Sequence, residues 1–139
     1  MSDPIYTATV QAIGGRQGVV RSDDGHLEAT LAYPSAMGGD GAGTNPEQLF
    51  GAGYAACFLG ALGVIARQSG VTLGEHSLGA QVDLIKDETS FHLGVRLTLT
   101  APSLSWAQAD DLLHRAHEIC PYSRAIRGNV RVELAVARA

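Results

Sequence analysis

The stretch NPEQLFGAGYAACFLGALGVIAR, residues 45–67, carries the strongest structural signal in the chain. Asn45 is a favourable N-cap, because its side-chain oxygen can accept a hydrogen bond from a free N–H group of the first helical turn. Pro46 suits the first helical position, and Gln48 can complete a capping box with Asn45. The pattern therefore predicts a helix over about 46–67.

Most of this predicted helix is uncharged. Residues 49–66 contain no charged side chain over 18 positions, which reaches the lower limit for a membrane-spanning helix. Four glycines, five alanines and the lack of flanking Lys/Arg clusters favour a helix buried on all sides in a soluble protein. One chain of 139 residues supplies such cover poorly, so we expect a dimer. Ala52, Ala56 and Gly60 form a small-residue stripe along which two helices could approach closely.

Alternating apolar residues predict strands on both sides of the helix. The Asp24-Gly25 pair is a strong hairpin signal between two of them. The order βββ-α-ββ-α-β, with strands joined by hairpins, indicates an α+β fold with antiparallel sheet. The predicted strands lie at about 6–12, 19–22, 27–33, 78–84, 91–99 and 130–136.

A second helix is predicted between the last two strands. Ser105 and Gln108 can form a capping box at its start. Its apolar positions, Leu112 and Ile119 among them, follow helical spacing, and Pro121 is expected to break it.

Length and charge limit the function. The chain has 139 residues and a mass of 14.5 kDa, which predicts one domain over residues 1–139. A net charge of −4 without any basic run argues against an electrostatic nucleic-acid binder, so no nucleic-acid partner is expected. The segment MSDPIYTATV does not resemble a secretory signal, so a reducing cytoplasm is the expected location.

Four residues are candidates for chemistry, and each also has an ordinary structural explanation. Cys57, in the apolar helix, could be a small buried hydrophobic residue. Cys120 lies at a helix end, where we expect a thiol to be more accessible than in mid-helix. Two such thiols can meet in space and form a redox pair. Glu47 could simply interact with the helix dipole, and Arg16 could be a solvated loop cation.

A metal site is a further alternative. His114, His117 and Cys120 follow an H-x2-H-x2-C spacing on one helix, and Cys57 could be a fourth zinc ligand. Histidines on the solvent side of an amphipathic helix are the commoner case.

Two long segments resemble a known family. Residues 45–58 (NPEQLFGAGYAACF) and 120–130 (CPYSRAIRGNV) are similar to signatures of the organic hydroperoxide resistance proteins, a branch of the OsmC superfamily. The Gly-Gly-Arg16-x-Gly turn is similar as well. The resemblance implies an OsmC-like fold, with antiparallel sheets packed around two central helices, and an intertwined homodimer with two active sites at the subunit interface.

The resemblance also implies a mechanism. Cys57 would be the thiol that attacks an organic hydroperoxide, and Cys120 the thiol that resolves the sulfenic acid. Arg16 and Glu47 would be the polar partners of Cys57, and the reductant would be a dihydrolipoyl group on a lipoylated protein. No metal, haem or flavin cofactor is implied. An OsmC-type peroxidase with another peroxide preference, or a non-catalytic redox sensor or apolar-ligand binding protein, remains an alternative.

Helix geometry adds a constraint on this mechanism. A nearby cation favours the thiolate, which is the role expected of Arg16, and Glu47 would hold the guanidinium by bidentate pairing. Ten residues separate Glu47 from Cys57, and one unbroken helix would place them about 15 Å apart along its axis. Either the helix breaks at Gly51 or Gly53, or Glu47 belongs to the partner subunit. We favour the partner subunit.

Overall fold

A computed structural model describes residues 2–138. The described residues fall into two compact units, one up to Leu49 and the other from Phe50 onward. The prediction of one domain over residues 1–139 stays a prediction.

The first unit contains a small antiparallel sheet. Its strands follow the order β1-β2-β3, and the β2–β3 connection contains the Asp24-Gly25 pair, as predicted. The first strand is shorter than predicted, because its partner ends in the turn after Ser22, which pairs with Val10. Residues 6–9 therefore lie outside the ladder. The strands are β1 (Val10–Ile13), β2 (Val19–Ser22) and β3 (Glu28–Thr30).

The long helix α1 (Pro46–Gln68) begins in this unit and runs without a break through Gly51 and Gly53. The backbone N–H of Gln48 donates to Asn45 Oδ1 at 2.8 Å, which confirms the predicted cap. The capping box is only half formed, because the Gln48 side chain accepts from the Thr44 hydroxyl at 2.7 Å instead.

The second unit contains the larger sheet, of order β4-β5-β6. Strands β4 and β5 are antiparallel, but β5 and β6 are parallel, with Leu97 opposite Leu134. The predicted antiparallel pairing is therefore wrong for the last strand. Parallel neighbours require a crossover, and here two helices provide it. The elements are β4 (Ser77–Lys86), β5 (Phe91–Thr100), α2 (Trp106–Ile119), α3 (Pro121–Ile126) and β6 (Arg131–Ala137).

The short helix α3 was not predicted. Pro121 does end the preceding helix, but it also occupies the first turn of α3, where its missing N–H is not needed. The predicted capping box of Ser105 and Gln108 is complete, with both hydrogen bonds at 3.1 Å. Helices α1 and α2 contribute to one apolar core with the inward side chains of β5. The largest fully buried members are Tyr54, Phe58, Leu62, Leu97, Leu99, Leu112 and Leu113.

Helix α1 is only partly covered within one chain. By length and composition alone it could cross a membrane, yet this is weak support for a span, because core helices meet the same criteria. Of its most apolar 18-residue window, 39% is buried. Ala52, Ala56 and Gly60, the predicted small-residue stripe, are exposed. Burial on all sides therefore needs cover from outside this chain.

Candidate active site

Arg16 and Glu47 form an ion pair in the first unit. Arg16 lies in a 3-10 turn between β1 and β2, and Glu47 is the second residue of α1. Two parallel hydrogen bonds join them, from Nη1 to Oε1 and from Nη2 to Oε2, each 2.8 Å long. Their side chains are 28% and 17% exposed. The bidentate geometry fixes the plane of the guanidinium.

The turn that presents Arg16 depends on glycine. A Cβ at Gly18 would lie 1.6 Å from the carbonyl oxygen of Ile13, so no larger residue fits without backbone movement. This close approach lets β1 and β2 connect tightly, with Arg16 at the tip.

Each member of the ion pair stabilises the charge of the other. The hydrogen bond to Glu47 raises the pKa of Arg16, and the hydrogen bond from Arg16 lowers the pKa of Glu47. The pairing occupies two of the five guanidinium N–H groups. Among the described residues, no other side-chain hydrogen bond involves Arg16. The pair thus holds a cation in a defined orientation, with donors left over.

Cys57 and Cys120 meet in the second unit. Both thiols are reduced, and their sulfur atoms lie 4.0 Å apart, although 63 residues separate them in the sequence. Cys57 comes from the middle of α1, and Cys120 from the junction between α2 and α3. A disulfide has an S–S distance of about 2.05 Å, so the sulfurs must approach by about 2 Å to bond.

The accessibility of the two thiols is the reverse of what we expected. Cys120 is fully buried, whereas Cys57 is partly exposed. The helix end at Cys120 turns its side chain into the core, while α1 is only partly covered on the side of Cys57. An attacking molecule therefore reaches Cys57 first.

Within its own unit, the Cys57 thiol is held in its neutral form. Burial raises the pKa of Cys57, and the neighbouring Cys120 raises it further, while the backbone N–H of Tyr122 partly offsets both. None of these groups is a cation. A thiolate at neutral pH therefore requires a positive charge that the described residues of the second unit do not bring to this sulfur.

Cys57 and a cluster of aromatic rings on α1 and α3 pack against the same apolar core. Tyr54 and Tyr122 stack with centroids 5.6 Å apart, and Phe50 meets Tyr54 edge-on at 5.9 Å. Gly53 makes room for this arrangement, because a Cβ there would lie 2.5 Å from the Tyr122 hydroxyl oxygen. The surroundings of Cys57 are thus apolar and aromatic.

The zinc ligands considered above do not converge. His114 Nδ1 contacts the carbonyl oxygen of Asp110 at 2.9 Å, and His117 Nδ1 contacts Ser123 Oγ at 2.8 Å. Within residues 2–138, no group of three or more His, Cys, Asp or Glu side chains is placed to hold a metal ion.

Known proteins share this sequence and this fold. The family model for OsmC-like proteins matches residues 38–135. Organic hydroperoxide resistance protein OhrB of Bacillus subtilis is 46% identical over 132 residues, which cover 94% of this chain and 96% of that protein. This chain belongs to the organic hydroperoxide resistance family of OsmC-like proteins.

Solved structures of the family agree with this assignment. The crystal structure of an organic hydroperoxide resistance protein from Legionella pneumophila superposes with a TM-score of 0.92. The two are 46% identical, and the match covers 97% of this chain and 99% of the other. The predicted family and the α+β OsmC-like fold are confirmed. Membership places the chain in organic hydroperoxide resistance, a part of the oxidative stress response.

Sequence reasoning missed two groups near the thiols. The backbone N–H of Tyr122 lowers the pKa of Cys57, and the hydroxyl of Ser123 lies within hydrogen-bonding distance of the buried Tyr54 hydroxyl. Their one signal was position, since both follow Cys120 within three residues. The roles of Arg16, Glu47, Cys57 and Cys120 in catalysis stay predictions.

Proposed function

We propose that the protein is a thiol-dependent peroxidase that reduces organic hydroperoxides to alcohols. The observation that supports this most is the pair of reduced thiols 4.0 Å apart, of which one is accessible and the other is buried. The Cys57 thiolate attacks the outer peroxide oxygen, and the O–O bond breaks. The departing alkoxide takes up a proton to become the alcohol, and Cys57 is left as a sulfenic acid.

The second step regenerates a protected state. Cys120 attacks the sulfenic sulfur, the S–O bond breaks, and the hydroxyl leaves with the Cys120 proton as water. The resulting disulfide prevents further oxidation of Cys57. A dithiol then reduces the disulfide by exchange, and we assign this role to a dihydrolipoyl group on a lipoylated protein. The reducing cytoplasm is the compartment that suits this cycle.

The Arg16–Glu47 pair supplies the cation that Cys57 needs. The guanidinium lowers the pKa of the thiol and donates to the peroxide oxygens as charge develops on the leaving alkoxide. Because α1 is unbroken, Glu47 and Cys57 of one chain lie about 15 Å apart along the helix axis. We therefore assign the pair at each Cys57 to the partner subunit of a homodimer. The incompletely covered apolar surface of α1 supports such a dimer.

The substrate follows from the surroundings of Cys57. Aromatic and apolar side chains favour the alkyl group of an organic hydroperoxide over hydrogen peroxide, which has no apolar part to bury.

A peroxide-consumption assay tests the proposal. Purified protein receives tert-butyl hydroperoxide or hydrogen peroxide, with dihydrolipoamide or a thioredoxin system as reductant. We expect sustained turnover with the organic peroxide and dihydrolipoamide, and a loss of about 10³-fold or more in Cys57→Ser. A preference for hydrogen peroxide would indicate an OsmC-type peroxidase of another specificity. One oxidation without turnover would indicate a sensor.

The shared site has its own test. Glu47→Ala and Cys57→Ser chains are mixed, unfolded and refolded together. If Glu47 acts across the interface, half of the heterodimer sites combine an intact Cys57 with an intact Glu47 and regain the wild-type rate. If Glu47 acts within its own chain, no site has both groups, and activity stays at the mutant level. Full activity in a monomer would contradict the shared site.

A further inference from the structure

Three helices are joined beside the thiol pair by a hydrogen-bonded chain of side chains. The Tyr54 hydroxyl on α1 lies 2.6 Å from Ser123 Oγ on α3, and His117 Nδ1 on α2 lies 2.8 Å from the same oxygen. Tyr54 and Ser123 are completely buried. This hydrogen-bonded network of Tyr54, Ser123 and His117 contributes no group to the peroxide chemistry described above. The presence of its polar atoms in an apolar core therefore needs another explanation.

Two residues of this hydrogen-bonded network lie on either side of the resolving thiol in the sequence. His117 lies three residues before Cys120 and Ser123 lies three residues after it, so their hydrogen bond spans the corner between α2 and α3. Arg127 strengthens the same corner by donating to the carbonyl oxygen of His117 at 2.6 Å. Cys120 therefore occupies the apex of a corner that is closed by side-chain contacts on both sides.

At the other end of the hydrogen-bonded network, Tyr54 lies on the turn of α1 that carries Cys57. Tyr54 and Cys57 are three residues apart, which places them on one face of the helix. The pKa of Tyr54 reflects how near its hydroxyl lies to the two thiols. Burial raises this pKa most, and negative charge on Cys120 and Cys57 raises it further. The hydrogen-bonded network thus connects the turn of α1 that carries Cys57 to the corner that carries Cys120.

We propose that Tyr54, Ser123 and His117 are positioning residues that hold Cys120 against Cys57 for disulfide closure. The inference rests on the proposed function, because it concerns the second step of that cycle. Closure forms the S–S bond, breaks the S–O bond of the sulfenic acid and releases the hydroxyl with the Cys120 proton as water. Holding the two sulfurs near bonding distance raises the effective concentration of one thiol at the other.

The variants Tyr54→Phe and Ser123→Ala test this. Reduced protein is mixed with one equivalent of tert-butyl hydroperoxide, quenched with acid at set times, alkylated, and analysed by intact mass. In Ser123→Ala, which leaves the aromatic side chains near Cys57 in place, we expect consumption of the Cys57 thiol to change by less than about twofold. In both variants we expect disulfide closure to slow by about tenfold. Excess peroxide should then convert more Cys57 to sulfinic acid. Because the same contacts are expected to favour the closed disulfide at equilibrium, the reduction potential should rise by about 30 mV, which corresponds to a tenfold smaller equilibrium constant for disulfide formation.

A double variant separates positioning from stability. Tyr54→Phe leaves Ser123 its contact with His117, whereas Ser123→Ala leaves the buried Tyr54 hydroxyl without this partner. Tyr54→Phe with Ser123→Ala removes both hydroxyls and leaves only the half-buried His117 ring without this contact, so it should cost less folding stability than Ser123→Ala alone. We expect the double variant to melt at a higher temperature than Ser123→Ala and still close slowly. Recovery of wild-type closure in the double variant would overturn the proposal, and so would unchanged closure and potential in both single variants.

The histidine end allows a rescue experiment. His117→Ala should slow closure, while His117→Asn retains a hydrogen-bonding group near the Nδ1 position and should restore much of the rate. His114→Asn, an exposed change on the same helix, is the matched control and should leave closure unaltered. Failure of the wild type to form any disulfide would reject the proposed function itself, whereas equal closure in wild type and variants would reject only the positioning role.

Discussion

The two candidate pairs of this protein differ in how complete they are. Arg16 and Glu47 already make both of their hydrogen bonds at 2.8 Å, whereas the sulfurs of Cys57 and Cys120 stand 4.0 Å apart and must approach to react. The ion pair is already formed, whereas the two sulfurs are in contact but not bonded. Changes to the first pair should therefore alter rates and pKa values, while changes to the second should alter which products form.

The pairs also differ in their surroundings. The carboxylate and guanidinium remain partly exposed and keep each other charged. The thiols lie among apolar and aromatic side chains, where burial favours their neutral forms. The proposed mechanism uses both environments at Cys57: an apolar one that admits the substrate, and a charged one that produces the thiolate.

Removing the buried thiol should have the largest effect on turnover and on the oxidation products. Cys120→Ser is expected to undergo one oxidation at Cys57 and then fail to turn over, because no second sulfur resolves the sulfenic acid. Intact-mass analysis after peroxide treatment should show stable sulfenic acid and, with excess peroxide, sulfinic or sulfonic acid. Undiminished turnover with dihydrolipoamide would show that the reductant attacks Cys57 directly.

Removing the cation should have an intermediate effect. Arg16→Ala is expected to raise the pKa of Cys57 and to slow its alkylation by iodoacetamide at pH 7 by about tenfold, which corresponds to one pKa unit. Glu47→Ala should do less, since Glu47 acts by orienting Arg16. Arg21→Ala is the matched control, because it removes an arginine from an exposed pair with Glu28 in the same unit. An unaltered pH profile in Arg16→Ala would make Arg16 a solvated loop residue.

The smallest expected effect is on stability. Arg16 lowers the pKa of Glu47 in the folded protein, so the contribution of this carboxylate is complete above about pH 4.3 and is lost as the pH falls through the lowered pKa. Glu47→Gln should lower the free energy of unfolding by about 1 kcal/mol at pH 7, and the difference should shrink toward pH 3. Denaturant titrations at fixed protein concentration measure this. Glu28→Gln, which removes a charge from an exposed pair, should change the free energy of unfolding little. Equal decreases in both variants would show that the bidentate pair stabilises the fold no more than an exposed pair does.

Local signals predicted the helices well, because each depends on neighbouring residues. The cap at Asn45 and the capping box of Ser105 and Gln108 are both present. The parallel pairing of β6 could not be predicted in the same way, since it depends on where a crossover returns to the sheet. Helix α3 was missed because Pro121 signals the end of one helix as readily as the start of another.

That the two thiols could meet was predictable from the sequence, but the geometry of their contact was not. The family signatures identified Cys57 and Cys120, yet sequence reasoning ranked their accessibility the wrong way round. Burial of a helix end depends on which side of the corner faces the core, and no local pattern records this. The contact between Tyr54 and Ser123 joins residues 69 positions apart. Such a contact follows only from tertiary packing.

The parallel pairing of β5 and β6 has a consequence for hydrogen–deuterium exchange. The crossover that carries Cys120 leaves β5 and returns to β6, its hydrogen-bonded neighbour, so both of its ends are anchored in one sheet. A rearrangement at Cys120 is thereby confined to residues between the two strands. Oxidation of the thiols should alter amide exchange at the corner of α2 and α3, while the amides of β5, paired on both sides, keep the same slow exchange in either redox state.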